Sequence, residues 1–332
     1  MVNKKFTAMQ VEEIDGLFKR SIVTRTVEEL PEGELLIRVT HSSLNYKDAL
    51  SSSGNKGVTR SYPHTPGIDA VGVVVESKSE KYHAGDKVIV TSYDLGMNTP
   101  GGFGQYIRVP ECWAVSLPKS LSSREAMIIG TAGFTAALSV YRMINGGVKP
   151  KDGDVLVTGA TGGVGTIAVQ LLAKLGYKVV AATGKLTEKR MLEEMGTVTV
   201  IDRKELDDES GKPVLRSRWA GVIDTVGGNI LATAVKTVHY DGVVTCCGNV
   251  AGHNFNSSVY PFILRGVSLI GIDSALTPMI IRLKIWELLA TDWKLHFNEE
   301  YVSEVNLEQL SEKIELMLKG NLKGRTIVNL GS

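Results

Sequence analysis

The chain has 332 residues, 43% hydrophobic and 22% charged, the composition of a folded globular protein and a length that favours two domains over one core. Its 37 Lys and Arg against 36 Asp and Glu leave a net charge of +1, which argues against a nucleic-acid or anionic-membrane partner. Three cysteines, Cys112, Cys246 and Cys247, offer neither an even disulfide framework nor a CxxC pair for structural zinc, and predict a reducing, cytoplasmic setting.

The opening MVNKKFTAMQVEEIDG has lysines with no continuous apolar segment behind them, so no secretory signal is expected, and no run is read as long enough to cross a bilayer. Up to about residue 125 the pattern is strands between turns. The Val- and Ile-rich runs 35–39, 70–76 and 87–91 are punctuated by Gly54, Gly57, Pro63, Pro66, Gly85-Asp86 and Pro100-Gly101-Gly102, which predicts a mostly β domain. Its one clear helical opening is SLNYKDAL at 43–50, directly after a strand.

From about Ser122 the periodicity becomes helical. Residues 155–184, VLVTGATGGVGTIAVQLLAKLGYKVVAATG, then read as strand, glycine turn, amphipathic helix and strand, one βαβ unit. Gly162, Gly163 and Gly165 clear space for a bulky anion, and the helix that follows aims free N–H groups and its positive dipole end at that anion. In register, Ala160-x-Gly162-x-x-Gly165 is the dinucleotide fingerprint with Ala in first place. The second strand ends at Thr183-Gly184-Lys185, where a ribose-reading residue is expected, about 20 residues past the glycines. No carboxylate stands there to accept the 2′-hydroxyl of NAD, and Lys185 suits the 2′-phosphate of NADP, with Lys189, Arg190 and Arg203 as further cations downstream.

The alternation continues with a helix at 187–195 and strands at 198–201 and 221–224. A helix at 229–239 and strands at 242–246 and 268–272 complete six parallel strands in a doubly wound sheet. Helices are expected at 278–290 and 307–319, and the strand at 324–330, with no place in that sheet, is expected to return to the first domain.

With GIDAVGVV at 67–74, GDKVIV at 85–90, GGFGQYIRVP at 101–110, the GATGGVG turn and VIDTVGG at 222–228, the chain resembles the medium-chain dehydrogenase/reductase superfamily along its whole length. Through LNYKDAL at 44–50, PFILRGVSLIGIDS at 261–274 and GRTIV at 324–328 it is most similar to the YhdH/YhfP type of quinone oxidoreductase, which includes the NADPH-dependent acrylyl-CoA reductases. The resemblance implies an α/β protein and a homodimer. A GroES-like, mostly β catalytic domain is expected at 1–125 and 295–332, and a Rossmann doubly wound parallel-sheet domain at 126–294. It carries NADPH binding onto Tyr46, Thr131, Thr161, Gly162, Gly163, Val164, Thr183, Gly184, Lys185, Arg203, Asn249, Ile263, Ser274 and Arg325, and catalysis onto Tyr46 and Asn45.

Departures from the zinc-dependent relatives shape the chemistry. Gly67-Ile68-Asp69 stands where those enzymes carry Gly-His-Glu, Asn45 stands in the region of a ligand Cys, and the cysteines are too few for a four-cysteine lobe, so no metal is expected. A short-chain reductase is rejected because no tyrosine has a lysine four residues on. A reductase without metal adds hydride to a carbon that is already electrophilic, as in an enoyl thioester such as acrylyl-CoA, or in a quinone. The Tyr46 phenol is then the expected donor to the enolate oxygen or α-carbon, or a packing surface for the cofactor ring. Asn45 would orient the nicotinamide ribose, and Asp48 would cap the helix opening. The alternatives are an NADPH:quinone oxidoreductase and a non-catalytic NADPH-binding protein on the same fold.

Overall fold

The computed structural model describes residues 4–331. The chain opens with two long strands, β1 (Lys5–Ile14) and β2 (Leu17–Thr26), joined by Asp15-Gly16 with φ of 52° and 76°, the backbone that a two-residue hairpin needs and Asp-Gly supplies. The sequence reading does not anticipate this hairpin, because β2 (LFKRSIVTRT) fully buries none of its residues and so carries no apolar run. Next come β3 (Leu35–Ser43), α1 (Tyr46–Ser52), β4 (Asp69–Ser77), β5 (Lys87–Thr91), β6 (Tyr106–Val109) and β7 (Ala114–Ser116). The helix α2 (Ser123–Asn145) leads into β8 (Val155–Thr158), α3 (Gly163–Lys174), β9 (Val179–Thr183), α4 (Lys189–Glu194), β10 (Thr197–Asp202) and β11 (Trp219–Asp224). The chain continues through α5 (Gly228–Lys236), β12 (Val238–Cys246), α6 (Tyr260–Arg265), β13 (Ser268–Gly271) and α7 (Met279–Ala290). It ends with β14 (Val302–Val305), α8 (Leu307–Leu318) and β15 (Arg325–Asn329).

These elements form two compact units. The first contains residues 1–131, 275–290 and 296–332, and the second residues 132–274 and 291–295. In the first, β14, β15, β3, β4, β5 and β7 lie side by side in that order and β6 also pairs with β3. The C-terminal β15 runs antiparallel to β3, with Ile327 opposite Ser43 and Val328 opposite Ser42, so the last strand returns to the N-terminal sheet as its lack of a place elsewhere implied. Leu35, Ile37 and Val39 of β3 share one core with Val88, Val90, Ile107, Leu310, Ile314 and Val328. The α7 segment belongs to this unit too. Its buried Arg282 donates to the Thr91 carbonyl at 3.2 Å, the Thr91 hydroxyl at 3.1 Å and the Ala275 carbonyl at 3.0 Å.

The second unit is a six-stranded sheet in the order β10-β9-β8-β11-β12-β13, every neighbouring pair parallel. This is the doubly wound sheet expected from the strand and helix alternation. The winding reverses between β8 and β11, the place where such sheets open a crevice at the carboxyl ends of their strands. The helix expected at 187–195 is instead a 3₁₀ turn at Leu186–Glu188 followed by the short α4.

The expectation that no run reaches a bilayer's thickness needs correction. By length and composition α2, at 23 residues, is apolar enough to cross a membrane, although 78% of its most apolar stretch is buried inside the protein. It also breaks at Gly130, with φ 48° and ψ −158°, and its apolar faces serve the core.

The turn between β8 and α3 closes on Gly165. A Cβ there would overlap the Gly159 carbonyl oxygen and lie 2.7 Å from the Cα of Ala160, backbone that has nowhere to go, whereas a Cβ on Gly162 would meet only that oxygen at 3.3 Å. Gly165→Ala is expected to cost about 1–3 kcal/mol in urea denaturation and Gly162→Ala distinctly less. Equal losses would refute this account of the turn.

Candidate active site

In the first unit, β3 delivers Ser43 and Asn45 to the start of α1. Asn45 is the N-cap in extended conformation (φ −126°, ψ 162°), and it forms a capping box with Asp48, whose Oδ2 accepts the Asn45 N–H at 2.8 Å. The other oxygen of Asp48 accepts the N–H groups of Gly67 at 3.1 Å and Ile68 at 2.8 Å, which pins the first turn of α1 to the entry of β4.

Asp69, fully buried at the head of β4, is the hub. Its Oδ2 accepts Ser43 Oγ at 2.6 Å, Asn45 Nδ2 at 2.8 Å and the Thr131 N–H at 2.8 Å, and its Oδ1 accepts Thr131 Oγ1 at 2.5 Å. Thr131 can offer both groups because α2 breaks at the preceding residue. Gly130 must be glycine there, since a Cβ would sit 2.5 Å from Asp69 Oδ2 and 2.9 Å from Arg325 Nη2. Ser92 Oγ extends the chain of hydroxyls at 2.9 Å from Thr131 Oγ1.

Arg325 comes from β15 and supplies the cation. Its Nε donates to the Ile128 carbonyl at 2.7 Å, Nη1 to the Leu44 carbonyl at 3.4 Å and Asn45 Oδ1 at 3.5 Å, and Nη2 to Ser43 Oγ at 3.0 Å and the Met127 carbonyl at 3.3 Å. Those bonds engage all three nitrogens of a buried guanidinium, so Arg325 here orders Asn45 and the α2 break. Tyr46 stands between Asn45, 8% exposed, and the lysine that follows it, and is itself 40% exposed. Tyr46 is thus an exposed residue directly following the buried Asn45 of this polar lattice.

Two carboxyls and one guanidinium share this lattice. Burial, followed by the nearby Asp69 charge, pushes the Asp48 carboxyl up to about 7, against the pull of its three backbone N–H donors. Burial also lowers Arg325, with Asp69 and Asp48 opposing.

In the second unit, Gly162 caps α3, and Gly163 and Val164 open its first turn, so the helix end faces the carboxyl edge of the sheet. Thr161 and Thr183 are brought together, their hydroxyls 3.3 Å apart, and Thr183 Oγ1 accepts the Lys185 N–H at 3.0 Å. Gly184 and Arg203 are in contact range beyond the ends of β9 and β10. Asn249 follows β12 and packs near Gly227, Ser274 follows β13 and accepts Thr135 Oγ1 at 2.8 Å, and Ile263 is an exposed residue of α6.

Asp224 is a residue that sequence reasoning missed. Fully buried at the end of β11, it accepts Thr158 Oγ1 at 2.7 Å and the Gly227 N–H at 2.8 Å, while Thr225 donates its hydroxyl to the Thr158 carbonyl at 2.8 Å. These bonds tie β8 to β11 at the crevice. The motif VIDTVGG contained the signal, a lone acid at the end of an otherwise apolar strand. Burial, and then the Asp224 charge, pushes the Cys247 thiol up to about 12 and raises Cys246 as well.

Both halves match known families. Residues 31–119 match the alcohol dehydrogenase GroES-like domain, and residues 163–288 the family described as zinc-binding dehydrogenase. The putative quinone oxidoreductase YhfP of Bacillus subtilis is 44% identical, over 98% of this chain and 99% of that protein. The crystal structure of B. subtilis yhfP with NAD bound superposes with a TM-score of 0.94 at 43% identity, covering 98% of this chain and 100% of that one. The probable acrylyl-CoA reductase AcuI of Escherichia coli is 41% identical over 97% of this chain and 99% of that protein. The yhdH oxidoreductase of Salmonella enterica, solved in complex with NADP, gives a TM-score of 0.95 at 40% identity, covering 97% of this chain and 99% of that one.

The chain belongs to the medium-chain dehydrogenase/reductase superfamily, in its zinc-free YhdH/YhfP branch. The zinc of the matched family's description does not fit these residues. The Asn45 amide turns its N–H₂ toward Asp69, both Asp69 oxygens are engaged by donors, and Ile68, the residue before Asp69, has an alkyl side chain that offers no ligand. Among the described residues no group of three or more His, Cys, Asp or Glu could hold a metal ion.

The raised Asp48 carboxyl has a pH consequence with a definite sign. An acid whose folded pKa lies above its unfolded value of 3.8 contributes stability while protonated, and loses it as pH rises through about 7. Between about pH 4 and 7 the parent should therefore lose stability relative to Asp48→Asn as pH increases, read from urea denaturation of both. A difference that is flat or rises across the window would contradict the assignment.

Proposed function

We propose that the protein is an NADPH-dependent reductase that adds hydride to an activated carbon–carbon double bond, with acrylyl-CoA or another short enoyl thioester as the substrate class. The observation that carries this reading is the lattice around Asp69, which commits the polar groups of Asn45, Asp48 and Arg325 internally and leaves the Tyr46 phenol exposed. NADPH would supply the hydride. The fit of the second unit to that cofactor rests on the glycine turn at the α3 end and on the strand end at Thr183-Gly184-Lys185, which has no acid and is crossed by Arg203. The names of the relatives support the same class, a reductase named for acrylyl-CoA and one solved with NADP.

In this reading Tyr46 meets the oxygen that gains charge when hydride reaches the β-carbon, and the enolate is stabilised by a hydrogen bond from its hydroxyl. Asn45 and Asp48 act on Tyr46 from either side by fixing the first turn of α1, and Arg325 acts on Asn45. Thr131, carried over as a cofactor contact, also serves as a donor to Asp69. An NADPH:quinone oxidoreductase is the second reading, favoured by the name of YhfP. We further propose a cytoplasmic homodimer joined through β13, which ends the six-stranded sheet with an open edge beside the exposed Tyr260, Ile263 and Leu264 of α6.

Turnover separates these readings, including the non-catalytic one, which would bind NADPH and oxidise none of it. Tyr46→Phe keeps the ring, so NADPH affinity should hold while turnover of acrylyl-CoA falls about tenfold or more. Quinone turnover should fall less, because its reduced form is a resonance-stabilised phenolate. If enoyl turnover stays within about twofold of the parent while the NADPH dissociation constant rises, Tyr46 is a cofactor contact and the donor lies elsewhere.

A further inference from the structure

We propose that Gly184 is the residue that selects NADPH over NADH, and that it does so by giving the Arg203 guanidinium a flat seat at the end of β9. The proposal rests on the NADPH reading above and names the device behind it.

The geometry starts from register. β9 and β10 run parallel with Thr183 opposite Asp202, so Gly184 and Arg203 are the next residues on adjacent strands and leave the sheet at the same level. This is the strand end at which a dinucleotide fold reads the adenosine ribose. A Cβ on Gly184 would lie 2.9 Å from Arg203 Nε and 3.1 Å from both its Cδ and Cζ, so the plane of the guanidinium rests on the bare Cα. Nothing else lies among the three nearest atoms.

Backbone strain does not explain the glycine. Gly184 has no positive φ, so its backbone accepts an L side chain, and the nearest atoms such a side chain meets are those of Arg203. Glycine is needed here for the space above it. An alanine would leave the fold intact and push the guanidinium off its seat.

The guanidinium is also kept available. Asp202, the acid that could pair with it and repel a phosphate, instead accepts the Lys204 N–H at 2.9 Å as the cap of a 3₁₀ turn spanning Arg203–Leu206. No hydrogen bond or ion pair engages the Arg203 side chain among the described residues. A planar fork held flat and unpaired can grip a phosphate through two N–H bonds, and a ribose 2′-hydroxyl gives it no comparable charge-assisted partner.

Two adenine nucleotides isolate this contact from turnover: 2′,5′-ADP carries the discriminating phosphate and 5′-ADP lacks it. Calorimetric titration of both into the intact protein is expected to show about tenfold or greater preference for 2′,5′-ADP in the parent. Gly184→Ala should weaken 2′,5′-ADP about tenfold, leave 5′-ADP within about twofold and leave the melting temperature unchanged. Arg203→Ala should do the same, and the double variant should lose no more than either single one, because both changes remove one contact. If the parent prefers 2′,5′-ADP and Gly184→Ala keeps that preference, or if the two losses add, this proposal is overturned while the NADPH reading stands. A parent that binds both nucleotides equally overturns the NADPH reading, and this proposal with it.

Discussion

The first unit depends on one buried carboxylate. Asp69 collects four hydrogen bonds from β3, the N-cap of α1 and the residue after the α2 break, and a buried ion left without such partners would cost several kcal/mol. Three otherwise odd features follow from that constraint. Helix α2 breaks at a glycine so that Thr131 can donate two groups, the last strand returns across the whole chain to deliver Arg325, and Asn45 points its amide inward. The cation of this lattice is the Arg325 guanidinium, which the protein supplies itself and which reaches Asp69 through Ser43.

The second unit solves a simpler problem with the same means. Asp224 bridges β8 and β11 where the sheet changes its winding, and Gly165 lets the following helix sit close enough to present its N–H groups. Both positions rigidify the crevice in which we propose that the NADPH diphosphate binds. Neither residue needs to touch a ligand to matter, because a shift of about 1 Å in the turn would cost binding geometry.

Legibility from sequence tracked the range of the contacts involved. The doubly wound sheet was readable because β-branched runs, glycine turns and helical periodicity are local, and the motif of 155–184 carries them all within one βαβ unit. The N-terminal hairpin escaped notice despite its Asp15-Gly16 turn, since a ribbon with little burial leaves no hydrophobic pattern. The Asp69 lattice was invisible for another reason. Asp69 meets partners 24 to 62 positions away and Arg325 reaches Ser43 across 282, and a lone Asp, Asn or Arg in a sequence carries no mark of which other lone residue it will meet. The α7 helix was readable as a helix, but the buried arginine that attaches it to the first unit was not.

The claim that ties the account together is that internal hydrogen bonding replaces the metal of the wider family, so that turnover needs none. It is tested most directly by dialysing the protein exhaustively against a chelator, measuring zinc by elemental analysis, and following NADPH oxidation by acrylyl-CoA on the same sample. The account predicts turnover within about twofold of the untreated protein at less than about one zinc per ten chains. Activity that falls in proportion to the zinc removed, and returns when zinc is restored, would contradict it.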